Sequence, residues 1–200
     1  MLKNIVLFLV LVMTLVNSLD RNDKELKTWI NAILFLLSGI CISVHLLGYI
    51  KLDNYIYIEL GLCLIKLISE FHFINHEQGE GGYDIVFHHI VFVLSVIAIF
   101  TIGKEYKYLF PYCNYIHLAL AFSWLSKCFE KDTMIQVCCY KLYLVLWLIT
   151  SFLRIGVCLN ACIKCKRKVC FYSLILLTIS LAALDYLWTP KFHKYQNILN

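Results

Sequence analysis

The chain has few of the residues that end helices or separate domains. Only two prolines and eight glycines occur among its 200 residues, and neither an internal repeat nor a linker rich in proline, glycine and serine interrupts the sequence. Both prolines, Pro111 and Pro190, lie at the edges of long apolar segments. Because proline and glycine mark turns and loops, their scarcity excludes a string of linked domains and predicts one compact helical domain.

Charged residues are also scarce. They make up 16% of the chain, whereas apolar residues make up 61% and the mean hydropathy is +0.75. A soluble domain needs a polar shell, and about 25% of its residues are usually charged. The composition therefore excludes an ordinary water-soluble fold and predicts that the bilayer is the solvent for most of the chain.

Seven apolar segments approach the roughly 20 residues that a helix needs to cross the hydrocarbon. They are 5–16, 29–50, 55–74, 85–102, 109–125, 142–161 and 169–188. The prediction is an all-α fold, a multi-pass transmembrane helical bundle with six or seven spanning helices. Residues 1–18 form a membrane anchor or a cleaved signal peptide, residues 28–191 form the transmembrane domain, and residues 192–200 form a short polar tail.

The ten cysteines predict no disulfide framework, because free cysteine in an apolar segment behaves as a small hydrophobic residue. Cys162 and Cys165 have the spacing of half a zinc site, but no second pair or nearby histidine completes four ligands. We therefore predict no metal site, while S-acylation and unmodified thiols stay open. The basic stretch 164–168 is too short to predict nucleic acid binding; it is a solvated helix flank or contacts anionic headgroups.

Ionisable side chains inside apolar segments are the main functional candidates, because they are costly in a bilayer. The set is Glu59, Lys66, Glu70, Asp84, His88, His89, His117, Arg154 and Asp185. Lys66 and Glu70 are one helical turn apart and are expected to neutralise each other. Arg154 cannot lose its proton, so we predict that it pairs with Asp185 in the following segment.

A compact polar motif opens the fourth segment. Asp84 caps or flanks the start of the predicted helix, and His88 and His89 follow one turn inward. A carboxylate beside an imidazole can orient or charge it, which suits proton transfer or acyl acceptance. The structural alternative is that each histidine donates a hydrogen bond to a neighbouring helix.

This motif resembles the histidine-pair signature of the TLC-domain family, the group that contains the ceramide synthases. The likeness continues in order and spacing over 29–191, through Leu67-Ile68-Ser69-Glu70, Ser123, Ser151-Phe152-Leu153-Arg154-Ile155 and Leu184-Asp185-Tyr186-Leu187-Trp188. The chain departs from the family where Leu120 or Ala121 replaces a glutamate and where Ser38 or Gly39 replaces a histidine. The stretch 118–127 also lacks the aspartate pair of the synthases. The resemblance is therefore closer to the TLC-domain proteins that are not synthases.

The resemblance implies a membrane protein that binds or senses lipid in an internal cavity and influences membrane lipid composition. The expected cavity residues are Glu70, Asp84, His88, His89, Ser123, Arg154 and Asp185. The expected partner is a sphingolipid or a fatty-acyl species, and the expected location is the endoplasmic reticulum or another endomembrane. No cofactor is implied.

The alternative is a ceramide-synthase-like N-acyltransferase that uses acyl-CoA as co-substrate and a long-chain amine as acceptor. In that enzyme His88 or His89 is the acyl acceptor or general base, and Asp84 orients it. Two other classes of membrane protein are less well matched, because the sequence lacks part of the pattern expected for each. A di-iron lipid oxidase needs more clustered imidazoles than His72, His76 and the histidine pair provide, and a transporter is expected to show an inverted repeat.

Overall fold

The structure, a computed structural model, describes residues 11, 14–15, 18–19, 23–74, 106–131 and 133–196. The side chains at 24, 70–74, 184 and 187–196 are not part of this description. All of the predicted segment 85–102, and most of 5–16, lie outside the described residues. The choice between an anchor and a signal peptide for residues 1–18 therefore stays open.

The described ranges contain six α-helices and no β-strand, so the predicted all-α class is confirmed. The helices are α1 (Lys24–Leu46), α2 (Leu52–Ile74), α3 (Leu109–Asn114), α4 (Ile116–Cys128), α5 (Met134–Lys164) and α6 (Lys168–Gln196). Five of the seven predicted apolar segments coincide with these helices. α4 packs along both α1 and α5, α6 packs on α5, and α2 packs on α1.

Side-chain caps begin α1 and α5. Asp23 accepts a hydrogen bond from the Leu26 amide at 2.8 Å at the start of α1, and Thr133 accepts one from the Gln136 amide at 3.3 Å at the start of α5. Each cap satisfies an amide that has no partner within its helix. α1 ends in a tight turn at Gly48, whose φ of +87° favours glycine.

Replacing the α1 cap gives a local prediction. Asp23→Ala is expected to destabilise the first turn by about 1 kcal/mol because the Leu26 amide loses its acceptor. This corresponds to about fivefold faster hydrogen exchange at Leu26. Asp23→Asn keeps an acceptor oxygen and is the matched control. Equal exchange rates in Asp23→Ala and the unsubstituted protein would show that the cap contributes nothing.

The structure divides one predicted segment and extends another helix beyond its apolar stretch. The predicted segment 109–125 is divided at Tyr115, whose amide donates to Tyr112 O at 3.3 Å, three residues back. This tighter i→i+3 pattern separates α3 from α4. In addition, α6 continues through Pro190 to Gln196, so Pro190 is not at a helix end and residues 192–196 of the predicted tail are helical. The change from apolar to polar residues shows where the apolar stretch ends. The helix itself ends where its backbone hydrogen bonds end, which is further along the chain.

Large apolar side chains are exposed on the outer face of α5, while a charged side chain of the same helix is buried. Phe152 is 72% exposed and Ile163 84% exposed on α5, whereas Arg154 on the same helix is 2% exposed. The outer face of α5 also carries an open apolar groove lined by Leu148, Ile149, Phe152, Leu153, Gly156 and Val157. Exposed apolar patches of this kind are rare on soluble proteins, although the interior also contains two clusters of buried apolar side chains.

Two of the helices are long and apolar enough to cross a membrane, Glu25–Leu46 and Met134–Lys164. At 1.5 Å per residue their 22 and 31 residues extend about 33 and 46 Å, compared with about 30 Å of hydrocarbon. A further apolar helical stretch, Lys168–Ala183, is shorter.

Candidate functional site

Three polar side chains from three helices meet inside the bundle. Ser38 comes from α1, Glu59 from α2 and His117 from α4, and all three are buried. The Ser38 hydroxyl donates to Glu59 Oε1 at 2.6 Å. His117 Nδ1 lies 2.8 Å from Ser38 Oγ and 2.8 Å from Glu59 Oε1. We call these three residues the polar triangle.

The two oxygens of Glu59 have different surroundings. Oε1 is contacted by both the Ser38 hydroxyl and the His117 ring, whereas Oε2 has no hydrogen-bond partner among the described residues. The Glu59 side chain is 0% exposed. Because a buried carboxylate is costly unless it is paired or protonated, the Oε2 side of Glu59 is suited to a proton or to a positively charged ligand.

The polar triangle has the residue types of a hydrolase triad but a different geometry. In a triad, the serine and the carboxylate contact opposite ring nitrogens, so the imidazole can take a proton from one side while the other side is held. Ser38 and Glu59 both contact Nδ1 of His117. The triangle therefore orients the Glu59 carboxylate and the His117 ring without the relay that activates a serine nucleophile.

Further chemically active side chains surround the triangle. Cys63 follows Glu59 by one helical turn, and its Sγ lies 3.8 Å from Glu59 Oε1. The possible metal-ligand atoms of Glu59, Cys63 and His117 all lie within 4.8 Å of one another. Phe35 contacts the His117 ring edge-on, with 5.3 Å between ring centroids, and its own ring lies 3.5 Å from Lys66 Nζ. A carboxylate, an imidazole, a thiol and an ammonium group are thus gathered in one part of the interior.

A second polar group lies between α5 and α6. Arg154 and Asp185 are both buried and form a hydrogen-bonded ion pair, so their predicted pairing is confirmed. Ser151 precedes Arg154 by three residues and is buried on the same side of α5. Neither Arg154 Nε nor Ser151 Oγ has a hydrogen-bond partner among the described residues. The guanidinium is thus neutralised by Asp185 and still offers an N–H donor.

The structure describes only some of the other residues predicted for a lipid site. Asp84, His88 and His89 lie outside the described residues, and Glu70 is helical in α2 but its side chain is not described. The predicted Lys66 to Glu70 pair therefore stays a prediction. Ser123 is half-buried on α4; it follows His117 by six residues, so it points about 120° away from it. Ser123 and the polar triangle are therefore not on one face of α4.

Sequence reasoning did not assemble the polar triangle. The sequence places Glu59 and His117 among the ionisable residues of apolar segments, and Ser38 at a position where the TLC family has a histidine, without linking the three. The available signal was the presence of polar residues within each of three apolar runs. That signal identifies buried positions, but it carries no information on which helices are neighbours.

All ten cysteines are described, and all are free thiols. Cys162 Sγ lies 3.8 Å from Thr178 Oγ1, and Cys165 Sγ donates to Arg167 O at 3.4 Å. These two contacts are to a hydroxyl oxygen and a backbone oxygen.

Comparisons with protein-family models, with curated proteins and with solved structures find no match to this chain.

Proposed function

We propose that the chain is a multi-pass membrane protein of the TLC type, with six or seven spanning helices, that binds a lipid headgroup in its polar interior and thereby influences membrane lipid composition. The observation that supports it is the burial of charged and hydroxyl groups, such as Glu59, Arg154 and Ser151, in a bundle that also exposes many large apolar side chains. Intramembrane ionisable groups are retained where they serve a function.

The donors beside the Arg154 to Asp185 pair fit a lipid headgroup. Arg154 Nε and Ser151 Oγ are buried and offer hydrogens to a phosphate, hydroxyl or amide oxygen. An acyl chain needs no such site, because it can stay in the bilayer against the apolar outer faces of the helices. Recognition in this proposal therefore comes from the headgroup, and the chains contribute apolar contact.

The proposal concerns binding and not catalysis. The N-acyltransferase reading depends on Asp84, His88 and His89, which the structure does not describe, and the polar triangle does not have triad geometry. Incubation of the purified protein with acyl-CoA and a long-chain amine separates the two roles. An N-acyl product would replace the binding role with acyl transfer, and its absence together with bound lipid would support binding.

Lipid retention tests the proposed headgroup site. The protein is purified in mild detergent, and the lipids that remain bound are extracted and quantified by mass spectrometry. The double variant Arg154→Met/Asp185→Leu removes both charges together and leaves neither one unpaired. It is expected to retain at least about tenfold less of the selected lipid, equivalent to about 1.4 kcal/mol of binding.

The matched control removes one charge from the surface of the same helix. Lys141 is exposed on α5, and Lys141→Met is expected to leave the bound lipid unchanged. Equal retention by the double variant and the unsubstituted protein would contradict the proposed site. A lipid profile identical to that of the surrounding membrane in every variant would contradict selective binding altogether.

The proposal also includes location in the endoplasmic reticulum or another endomembrane. A fluorescently tagged chain in a eukaryotic cell is expected to colocalise with an endoplasmic reticulum marker and to stay in the membrane fraction after alkaline extraction. A tagged protein at the cell surface, or one released by alkali, would contradict this part.

A further inference from the structure

We propose that Glu59, Cys63 and His117 bind one divalent transition-metal ion, and that Zn²⁺ is the ion that fits this ligand set best. The proposal rests on the placement of these three side chains and not on the lipid role proposed above. Glu59 and Cys63 are four residues apart on α2 and therefore share a helix face. His117 reaches the same point from α4, so the site would join two helices that are distant in sequence.

The distances are close to those of a coordination sphere. The candidate ligand atoms lie within 4.8 Å of one another. At Zn–O and Zn–N bonds of about 2.0 Å and a Zn–S bond of about 2.3 Å, ligands at tetrahedral angles are about 3.3 to 3.5 Å apart. Cys63 Sγ is 3.8 Å from Oε1 of the Glu59 carboxylate, so this carboxylate is within reach of a metal bound to the thiolate. The 2.8 Å contact between His117 Nδ1 and Glu59 Oε1 opens if Glu59 presents its other oxygen to the metal.

Glu59 is arranged to do that. Its Oε1 receives the Ser38 hydroxyl at 2.6 Å, while Oε2, on a side chain that is 0% exposed, has no hydrogen-bond partner among the described residues. Ligating carboxylates are commonly held by such an outer hydrogen bond, which fixes their orientation. In this assignment Oε2 is the ligand atom, and Ser38 is the residue that positions it.

Charge also favours a metal of this type. Binding requires the Cys63 thiol to release its proton to the solution, because the thiolate is the ligand. One divalent ion then meets one thiolate, one carboxylate and a neutral imidazole, so the ion and its three ligands together carry no net charge. The Lys66 ammonium, which lies over the Phe35 ring, is not one of these ligands. A neutral site suits an apolar interior, in which an uncompensated charge is strongly disfavoured.

The mixed ligand set selects among metals. A thiolate, an imidazole and a carboxylate together are typical zinc ligands, whereas Mg²⁺ and Ca²⁺ prefer oxygen alone. Three protein ligands also leave the fourth position of a tetrahedral ion open, as in catalytic zinc sites. The site would therefore accept one external oxygen ligand, water in the simplest case.

Metal titration of the full-length protein tests the proposal. The chain is purified in detergent, treated with a chelator and titrated with Zn²⁺ and, separately, with Co²⁺, whose absorption reports its ligands. We expect one equivalent of either metal to bind, and we expect Co²⁺ to show a thiolate-to-metal charge-transfer band together with the visible bands of a tetrahedral site. Absence of stoichiometric binding, or binding without the thiolate band, would overturn the assignment.

Three substitutions assign the ligands. Cys63→Ser is expected to abolish the thiolate band, and Glu59→Gln is expected to weaken Zn²⁺ binding while the band persists at higher Co²⁺ concentration. Ser38→Ala removes only the outer hydrogen bond and is expected to weaken binding by about 10- to 100-fold. Circular dichroism and size-exclusion elution establish that each variant is folded. The titration of the unsubstituted protein decides the proposal even if one variant does not fold.

The matched control is the other cysteine pair with zinc-like spacing. Cys162→Ser/Cys165→Ser leaves Glu59, Cys63 and His117 in place and is expected to retain both the stoichiometry and the band. Loss of the band in this control, with the band retained in Cys63→Ser, would assign the metal to Cys162 and Cys165 and would refute the proposal.

Discussion

Asp185→Ala is expected to lower the free energy of unfolding by about 3–5 kcal/mol, because it leaves the buried Arg154 guanidinium without its carboxylate. Arg154 is 2% exposed and cannot neutralise itself by losing a proton. The measurement is equilibrium unfolding in detergent micelles, followed by circular dichroism during titration with a denaturing detergent.

Removing both charges at once separates the energy of the pair from the penalty of an unpaired charge. Arg154→Met/Asp185→Leu replaces the pair with apolar side chains and is expected to be close to neutral or even stabilising. The control for a single carboxylate is Asp53, which is 3.4 Å from Lys107 Nζ and whose side chain is 73% exposed. Asp53→Ala is expected to change stability by less than about 1 kcal/mol. Equal losses in Asp53→Ala and Asp185→Ala would contradict the importance of burial.

Gly39→Ala is expected to destabilise the bundle by about 1–3 kcal/mol through overpacking. A Cβ at this position would lie 2.8 Å from Leu118 Cδ1 and 3.0 Å from Leu118 Cα, so both the side chain and the backbone of α4 would have to move. Small residues allow such close approach of helices in membranes. Gly39→Val adds two methyl groups at the same contact and is expected to exceed the alanine effect. Both are measured by the same detergent unfolding titration.

Gly61 is the matched control for this contact. It lies inside α2, and a Cβ there meets no atom within 4 Å. Gly61→Ala is therefore expected to stabilise the protein by about 0.5–1 kcal/mol, since alanine loses less backbone freedom than glycine when a helix forms. Effects of the same sign in Gly39→Ala and Gly61→Ala would show that α1 and α4 do not pack as closely as described.

Gly39→Ala is also expected to distort the polar triangle, whereas Gly61→Ala is not. Gly39 is adjacent to Ser38 on α1, and His117 is adjacent to Leu118 on α4. Movement of α4 away from α1 would therefore lengthen the contact between Ser38 Oγ and His117 Nδ1, which is 2.8 Å. The close approach at Gly39 thus supports the geometry of the site as well as the stability of the fold.

The ion pair between Arg154 and Asp185 could be predicted from the sequence, because a charged residue in an apolar segment strongly requires a partner of opposite charge. An arginine in an apolar run needs a carboxylate, and Asp185 is the acidic residue of the next apolar segment along the chain. The helix caps and helix positions follow from similar local rules. These rules misplace a helix end where the helix continues beyond its apolar stretch, as it does through Pro190.

Sequence alone determined the all-α class and the approximate positions of five helical segments, one of which the structure divides into two helices, because helix formation and side-chain polarity are properties of neighbouring residues. The tertiary structure decided which polar residues meet. Ser38 and Glu59 are 21 residues apart, and Glu59 and His117 are 58 residues apart. Their convergence depends on the rotation of α1, α2 and α4 about their axes. That rotation follows from close contacts such as Gly39 against Leu118, which no single helix can specify.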